Sequence, residues 1–417
     1  MGKYGLLGER LGHSFSPEIH RLLGGYDYSL LEVPREALGD FLARRPFDGI
    51  NVTIPYKQAV IPYLDGLSDI ARRIGSVNTV IRAADGRLLG ENTDYSGFLQ
   101  MVRHAGIEVK NRKCLVLGSG GASRTVCVCL EDLGAAEVRV ISRSGPDHYG
   151  NLERHADARV IVNATPVGMY PGNGRAPVRL SAFPALEGVL DLIYNPARTA
   201  LLLEAERRGI PCANGLYMLV SQARQAAEIF LGKTIPEEET RRVVGQLAWQ
   251  TANIVLIGMP GCGKTTVGKL LAKRLNRLLV DTDTLVEEKT AGLSCGEYLR
   301  RYGEAAFRQM ETAAIREAGK RTGAVIATGG GAVTRPENLD ALRQNGVIFH
   351  LDRPVEQLSR RGDRPLSATE EALRQLFARR APMYAAFRDE RIDNTRAEDA
   401  AREIGQRFAA RLKGETP

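Results

Sequence analysis

Two stretches of the 417-residue chain place it in the α/β class. An apolar run, a glycine-rich turn and a helical pattern follow one another at Lys113–Leu133 and again at Asn253–Leu275. Such an order marks a parallel strand feeding a helix, whose positive end and exposed N–H groups face an anionic ligand. Length is the third observation: the chain exceeds one ordinary domain and points to two or three. The expected architecture is an N-terminal α/β lobe, a dinucleotide-type domain and a C-terminal phosphate-loop domain with a parallel sheet.

Hydrophobic residues make up 43%, enough for real cores, and the 44 glycines cluster in GSGG, GCGK and GGG. Clustered glycine suits loops that approach ligands closely rather than disorder. A net charge of +8 comes from scattered arginines, with no long basic run and no aromatic interleaving. That pattern favours small anions over nucleic acid or a membrane surface. The six cysteines show neither metal-ligand nor disulfide spacing. The N-terminus does not read as a signal peptide and no apolar run is long enough to span a membrane, so a reducing cytoplasm is the expected location.

In chain order, Lys3–Leu7 reads as a buried strand and Ser16-Pro17 as a helix start, with Ser16 as cap. The hydroxyls of Ser14 and Ser16 beside that helix end would suit a carboxylate. Gly49–Lys57 reads as a strand closed by Pro55, with Lys57 just beyond it. Asn-Thr pairs recur at Ile74–Thr79 and Gly90–Gly97, so three such loops look set to line a polar pocket from several strand ends.

The first glycine turn, Gly118, Ser119, Gly120, Gly121 and Ala122, joins strand Lys113–Leu117 to a helix ending near Leu133. The next strand, Glu137–Ser142, completes a dinucleotide-binding unit. It ends in Ser142-Arg143-Ser144 rather than an acid, which suits a 2′-phosphate and hence NADP over NAD. Downstream stand Gly145, Pro146 and Asp147, without a second base. Strands are expected at Val160–Met169 and Leu190–Tyr194, and a helix opens at Gly215–Gln222. Thr234-Ile235-Pro236 starts a junction helix to about Leu247, leaving Ala248–Ala252 before the next strand, too short to swing freely.

Gly258–Thr266, GMPGCGKTT, satisfies G-x-x-x-x-G-K-[ST] with its strand before and helix after. Gly258, Gly261, Cys262, Gly263 and Thr266 would build a nucleoside triphosphate loop, Lys264 would reach the terminal phosphates and Thr265 would hold Mg²⁺. Leu278–Asp283 reads as a strand whose alternation puts Asp281 and Asp283 on one face, one for the metal and one for a substrate hydroxyl. Arg308 and Glu311 can pair at i,i+3 on a helix. Thr328–Gly331 is a backbone able to lie against a ligand, Leu358–Ser367 has the composition of a lid, and Arg380 adds a further cation.

HSFSP, NVTIPYK, IGSVNT and ENTDYSG, in that order, resemble the substrate lobe of shikimate dehydrogenase. The resemblance implies that Ser14 and Ser16 bind the shikimate carboxylate and that Thr53, Asn78 and Asp94 bind ring hydroxyls. It further implies Lys57 and Asp94 as the catalytic pair, Gln222 and Tyr194 at the substrate, and Asn163, Thr165 and Met218 near the nicotinamide of a Rossmann-type NADP domain. The C-terminal half resembles shikimate kinase, which implies Asp283, Arg308, Gly330 and Arg380 around shikimate. By the same resemblance Asp281 assists Mg²⁺ and Arg364 in the lid stabilises the transferred phosphoryl group.

The implied domains are a substrate lobe at 1–100 with helix 215–232 packed back on it, a Rossmann domain at 101–236, a junction at 237–252 and a kinase domain at 253–417. The implied function is NADPH-dependent reduction of 3-dehydroshikimate to shikimate, then ATP-dependent phosphorylation of shikimate. Three rivals stay open at this point: preference for quinate or NAD, a metabolite-sensing scaffold without turnover, and a nucleic-acid-binding NTPase. The presence of Lys57, Asp94, Lys264 and Asp283 argues against the scaffold, and only basic charge supports the last.

Overall fold

The computed structural model describes residues 2–12, 14–359 and 369–412. Arg364, like most of the expected lid, lies outside the described residues. The chain divides into two compact units between Val244 and Gly245, inside one helix. The short segments Tyr170–Gly174 and Asn195–Ala200 are counted with the second unit.

The first unit opens with strands β1 (Tyr4–Gly8), β2 (Tyr28–Glu32), β3 (Gly49–Val52), β4 (Gly66–Leu67), β5 (Thr79–Arg82) and β6 (Leu88–Glu91). They form a mixed sheet in the order β2-β1-β3-β5-β6-β4. All of β3 is buried, and its one polar residue is satisfied: Asn51 accepts from the Tyr28 hydroxyl at 2.7 Å and donates to Thr79 at 3.0 Å. The strand stops at Val52, earlier than expected. Proline has no N–H for the ladder, so the chain turns through Pro55 and Lys57 rides on the one-turn helix Tyr56–Ala59. The helix start near Ser16 also differs. Phe15 is already helical, and it is the Ser14 hydroxyl that accepts, from the Ser16 N–H at 3.2 Å.

A second sheet follows, from β7 (Lys113–Leu117), β8 (Glu137–Ile141), β9 (Val160–Asn163), β10 (Gly188–Asp191) and β11 (Cys212–Asn214). All five are parallel, in the order β11-β10-β9-β7-β8. The winding reverses between β7 and β9, which opens a crevice at the carboxyl ends where such sheets take their ligands. Gly118 sits at that reversal with φ 103°, where a Cβ would lie 2.9 Å from the Thr165 methyl.

Helices Thr93–Ala105 and Leu216–Leu231 cross at Gly97, where a Cβ would meet the Met218 carbonyl oxygen at 2.8 Å and the Gln222 Cβ at 2.9 Å. Overpacking so tight a crossing costs about 1–3 kcal/mol. Gly97→Ala is therefore expected to lower the urea midpoint of the first unit without changing the slope of its transition.

The second unit holds β12 (Asn253–Ile257), β13 (Leu279–Asp281), β14 (Val325–Ala327), β15 (Gly346–Asp352) and β16 (Glu390–Asp393). They are parallel in the order β13-β14-β12-β15-β16, with β12 fully buried at the centre. The helix Glu237–Thr251 runs past its expected end near Leu247, leaving only Ala252 before β12. Arg277 explains the extension. Its guanidinium donates to the Trp249 and Ala252 carbonyls at the helix end and lies 5.0 Å from the Trp249 and Phe408 rings.

Candidate active sites

In the first unit the Lys57 ammonium donates to Asp94 Oδ2 at 2.6 Å, with side chains 25% and 14% exposed. Lys57 comes from the short helix after β3, and Asp94 from the first turn of Thr93–Ala105. A partly buried carboxylate this close fixes the direction of the ammonium. Ser14 and Ser16 face each other, 3.2 Å between hydroxyls.

Asn78 and Gln222 are drawn together by a residue that sequence reasoning passed over, Thr93. Its N–H donates to Asn78 Oδ1 at 2.7 Å, and its hydroxyl accepts from Asn78 Nδ2 at 3.0 Å. The same hydroxyl lies 3.4 Å from Gln222 Oε1. The repeated Asn-Thr pairs were the available signal, since buried amides need partners of this kind. Thr53 is half-buried at the turn after β3. Tyr194 follows β10, its ring 6.0 Å from that of Phe15, the residue between the two serines.

On the dinucleotide side, Gly118 and the end of β8 are adjacent through the Gly118 N–H to Ile141 carbonyl bond of 2.8 Å. The glycine turn Gly118–Ala122 and Ser142-Arg143-Ser144 thus emerge side by side. At Gly120 and Gly121 a Cβ would meet no atom within 4 Å, so there is room above the helix Gly121–Asp132 for a phosphate chain. Met218 is 9% exposed and belongs to the core beneath. Asn163 is 0% exposed, bonded to Asp191 at 3.0 Å and to Thr165 through its carbonyl oxygen, and so shapes the turn after β9.

In the second unit a cavity of about 330 Å³ is lined by the phosphate loop, Asp281, Asp283, Arg308, Gly330 and Arg380. Gly261, Gly263, Lys264, Thr265 and Thr266 reach its wall, but Gly258 and Cys262 do not. Gly258 packs against the Leu351 carbonyl. Cys262 is buried, its N–H donating to the Met259 carbonyl at 3.2 Å and its carbonyl accepting from Asn394 at 2.5 Å. Lys264 donates to the Gly258 and Met259 carbonyls at 2.9 and 3.0 Å, which holds the loop closed.

The two aspartates reach the cavity by a different route from the one expected. The strand ends at Asp281, whose side chain caps the next helix by accepting the Asp283 N–H at 3.0 Å, so Asp283 lies in a helical first turn. A capping aspartate stops a strand because it satisfies an orphan helix N–H. The other Asp281 oxygen accepts from the Thr265 hydroxyl at 2.9 Å. This pair of hard oxygens fits Mg²⁺, which normally completes its octahedron with water and phosphate oxygens.

Surrounding protein raises the Asp283 carboxyl to about 6, with Asp281 and Glu311 adding to the effect. Glu311 is almost fully buried and pairs with Arg308 at 2.7 Å, while Glu304 takes the other side of that guanidinium. Burial opposes the charge on Arg308, but the two glutamates outweigh it and raise its pKa. Arg380 is 2% exposed and donates one N–H to the Gly330 carbonyl at 2.9 Å. Its Nε and Nη2 are buried with no hydrogen-bond partner among the described residues. Donors left in that state mark a site for an anion.

The glycine run does not simply lie against a ligand. A Cβ at Gly329 would sit 2.6 Å from Glu311 Oε1 and 2.7 Å from Asp283 Oδ1, and one at Gly331 would collide with the Arg308 guanidinium. Glycine here lets the backbone pass between the site's own charged groups. Tyr384, unremarked in sequence, shares the Gly330 carbonyl with Arg380 at 2.6 Å.

Comparison with known proteins places these sites in context. The family model described as the shikimate dehydrogenase substrate binding domain matches residues 6–80, and that described as shikimate kinase matches residues 260–412. The chain is 34% identical over 268 residues to the shikimate dehydrogenase (NADP(+)) of Clostridium perfringens strain SM101, covering 59% of this chain and 98% of that relative. Among solved structures, shikimate 5-dehydrogenase from Thermus thermophilus in complex with NADP(H) and shikimate is similar at a TM-score of 0.54 and 35% identity. That match covers 59% of this chain and 99% of that one. Quinate dehydrogenase from Corynebacterium glutamicum in complex with NAD is similar at a TM-score of 0.53 and 29% identity, covering 57% and 96%.

Proposed function

This chain belongs to the shikimate dehydrogenase family, and on that premise we propose that it carries two consecutive activities: reduction of 3-dehydroshikimate to shikimate with NADPH, and phosphorylation of shikimate with ATP. In the first reaction the substrate carboxylate is held by the Ser14 and Ser16 hydroxyls. NADPH, seated on the turn Gly118–Ala122, supplies hydride to the ring ketone when bound. Lys57 gives a proton to the developing alkoxide, and Asp94 keeps the ammonium directed. Arg143, with Ser142 and Ser144, reads the 2′-phosphate.

In the second reaction Arg380 and Arg308 hold the shikimate carboxylate, and Asp283 accepts the hydroxyl proton as the oxygen attacks. Thr265 and Asp281 would hold Mg²⁺, which neutralises phosphate charge when bound. Lys264 adds a further positive group at the phosphates, and the requirement left to the protein is alignment.

The observation that carries the second activity is Arg380, a nearly buried cation that lines a cavity together with the phosphate loop. Shikimate supplied with NADP⁺ alone should raise absorbance of the reduced cofactor, and shikimate supplied with ATP and Mg²⁺ alone should release ADP. Absence of ADP release would sink the second activity without touching the first. Quinate and NAD⁺ in parallel wells decide between the shikimate and quinate readings; faster turnover of quinate with NAD⁺ would overturn the substrate assignment.

A further inference from the structure

Asp147 stands where an acid should harm binding of a 2′-phosphate, four residues beyond Arg143 on the same loop. Yet in a stretch where Arg143, Ser144, Pro146 and His148 are flanking residues of greater exposure, Asp147 is only 9% exposed. Its carboxylate accepts from His155 Nε2 at 2.9 Å, and the Arg139 guanidinium approaches its other oxygen at 4.0 Å. A carboxylate can only accept, which puts the proton of a neutral His155 on Nε2. The hydrogen bond from His155 holds the Asp147 carboxyl below its usual range, so it stays charged and committed inward.

The rest of the loop is tied as firmly. The Ser142 N–H donates to the Asp147 carbonyl at 3.1 Å, closing the loop at its neck. Asn151 grips both flanks of Asp147: it donates to the Pro146 carbonyl at 3.0 Å and accepts from the His148 N–H at 2.8 Å. What these bonds leave facing solvent is the tip, with Arg143 and Ser144 on it.

We propose that Asp147, Asn151 and His155 are positioning residues for cofactor choice: they fix the Ser142–His148 loop so that Arg143 meets the 2′-phosphate while the Asp147 charge is kept away from it. The inference rests on the reading that Arg143 recognises that phosphate. It explains how a loop lacking a second base, and containing an acid, still favours the phosphorylated cofactor. Preorganisation saves the ordering cost that a mobile loop would incur on binding.

The test is calorimetric binding of adenosine 2′,5′-bisphosphate and of AMP to the full chain, beside kcat/KM for NADPH and NADH. Arg143→Ala should remove the preference for the bisphosphate. Asn151→Ala, which cuts only surface tethers, and Asp147→Ala should each weaken bisphosphate binding about tenfold, the worth of one charge-assisted contact, and leave AMP within about twofold. Asp147→Asn keeps an acceptor for His155 and should restore most of the preference. A general structural role would instead weaken both ligands together. If Arg143→Ala removes the preference while Asn151→Ala and Asp147→Ala leave it intact, the positioning inference is wrong. If Arg143→Ala itself changes nothing, the cofactor reading beneath it is wrong as well.

Discussion

Lys57→Ala should slow reduction of 3-dehydroshikimate by about 10²–10⁴-fold, the range for loss of a positioned general acid, with ATP-dependent turnover unchanged within about twofold. The effect should fall on kcat rather than on KM, because the proton is needed only as the alkoxide develops. Asp94 loses its partner in this variant and remains 14% exposed, so some destabilisation of the first unit accompanies the loss. Measuring both activities on one preparation separates chemistry from folding. If Lys57→Ala removed ATP-dependent turnover too in a folded chain, the modular assignment would fail.

The second large effect is expected from Asp283→Asn. Phosphorylation should drop by about 10²–10⁴-fold, since the amide cannot take the hydroxyl proton, and reduction should persist. Stability should move the other way. The folded carboxyl titrates at about 6, above the ordinary value of about 3.9. The native state therefore binds more protons than the unfolded chain between about pH 4 and 6, and stability declines as pH rises through that window. At neutral pH the charged carboxylate weighs against the fold, and asparagine removes that weight. Asp283→Asn should show a higher thermal midpoint than the parent near neutral pH, with the gap closing toward about pH 4. The parent's phosphorylation rate should fall as pH drops and Asp283 takes up its proton. A midpoint unchanged at every pH would contradict the raised pKa of this carboxyl.

What was legible in the sequence was chemistry written locally. The turn Gly118–Ala122 and the loop Gly258–Thr266 announce themselves because a phosphate site needs glycine, a helix N-terminus and a strand in immediate succession. Lys57 and Asp94 were legible only through family resemblance, since neither residue type at a strand end or helix start demands a partner. The structure then brings them to 2.6 Å.

What stayed hidden was decided by contacts made at a distance. Asp281 and Asp283 read as strand alternation, but a capping bond from Asp281 turns the chain into a helix directly after the strand. The helix reaching Thr251 gained its last turn from Arg277. Asn163 gives no local sign of its partner, Asp191 on the neighbouring strand, which accepts from its amide. Tyr384 and Arg380 converge on the Gly330 carbonyl from a helix far along the chain, which no short window reveals. Asp147 is the sharpest case: by position it opposes a phosphate, and a histidine eight residues away turns it inward.

The central claim is that one chain makes an acid at one site and consumes it at the other. Its most direct measurement supplies purified protein with 3-dehydroshikimate, NADPH, ATP and Mg²⁺, and follows NADPH oxidation and ADP release together. The account predicts that ADP appears only after NADPH begins to fall, that the two totals converge, and that omitting NADPH suppresses both. NADPH consumed to completion with no ADP formed, or ADP formed at an undiminished rate without NADPH, would contradict it.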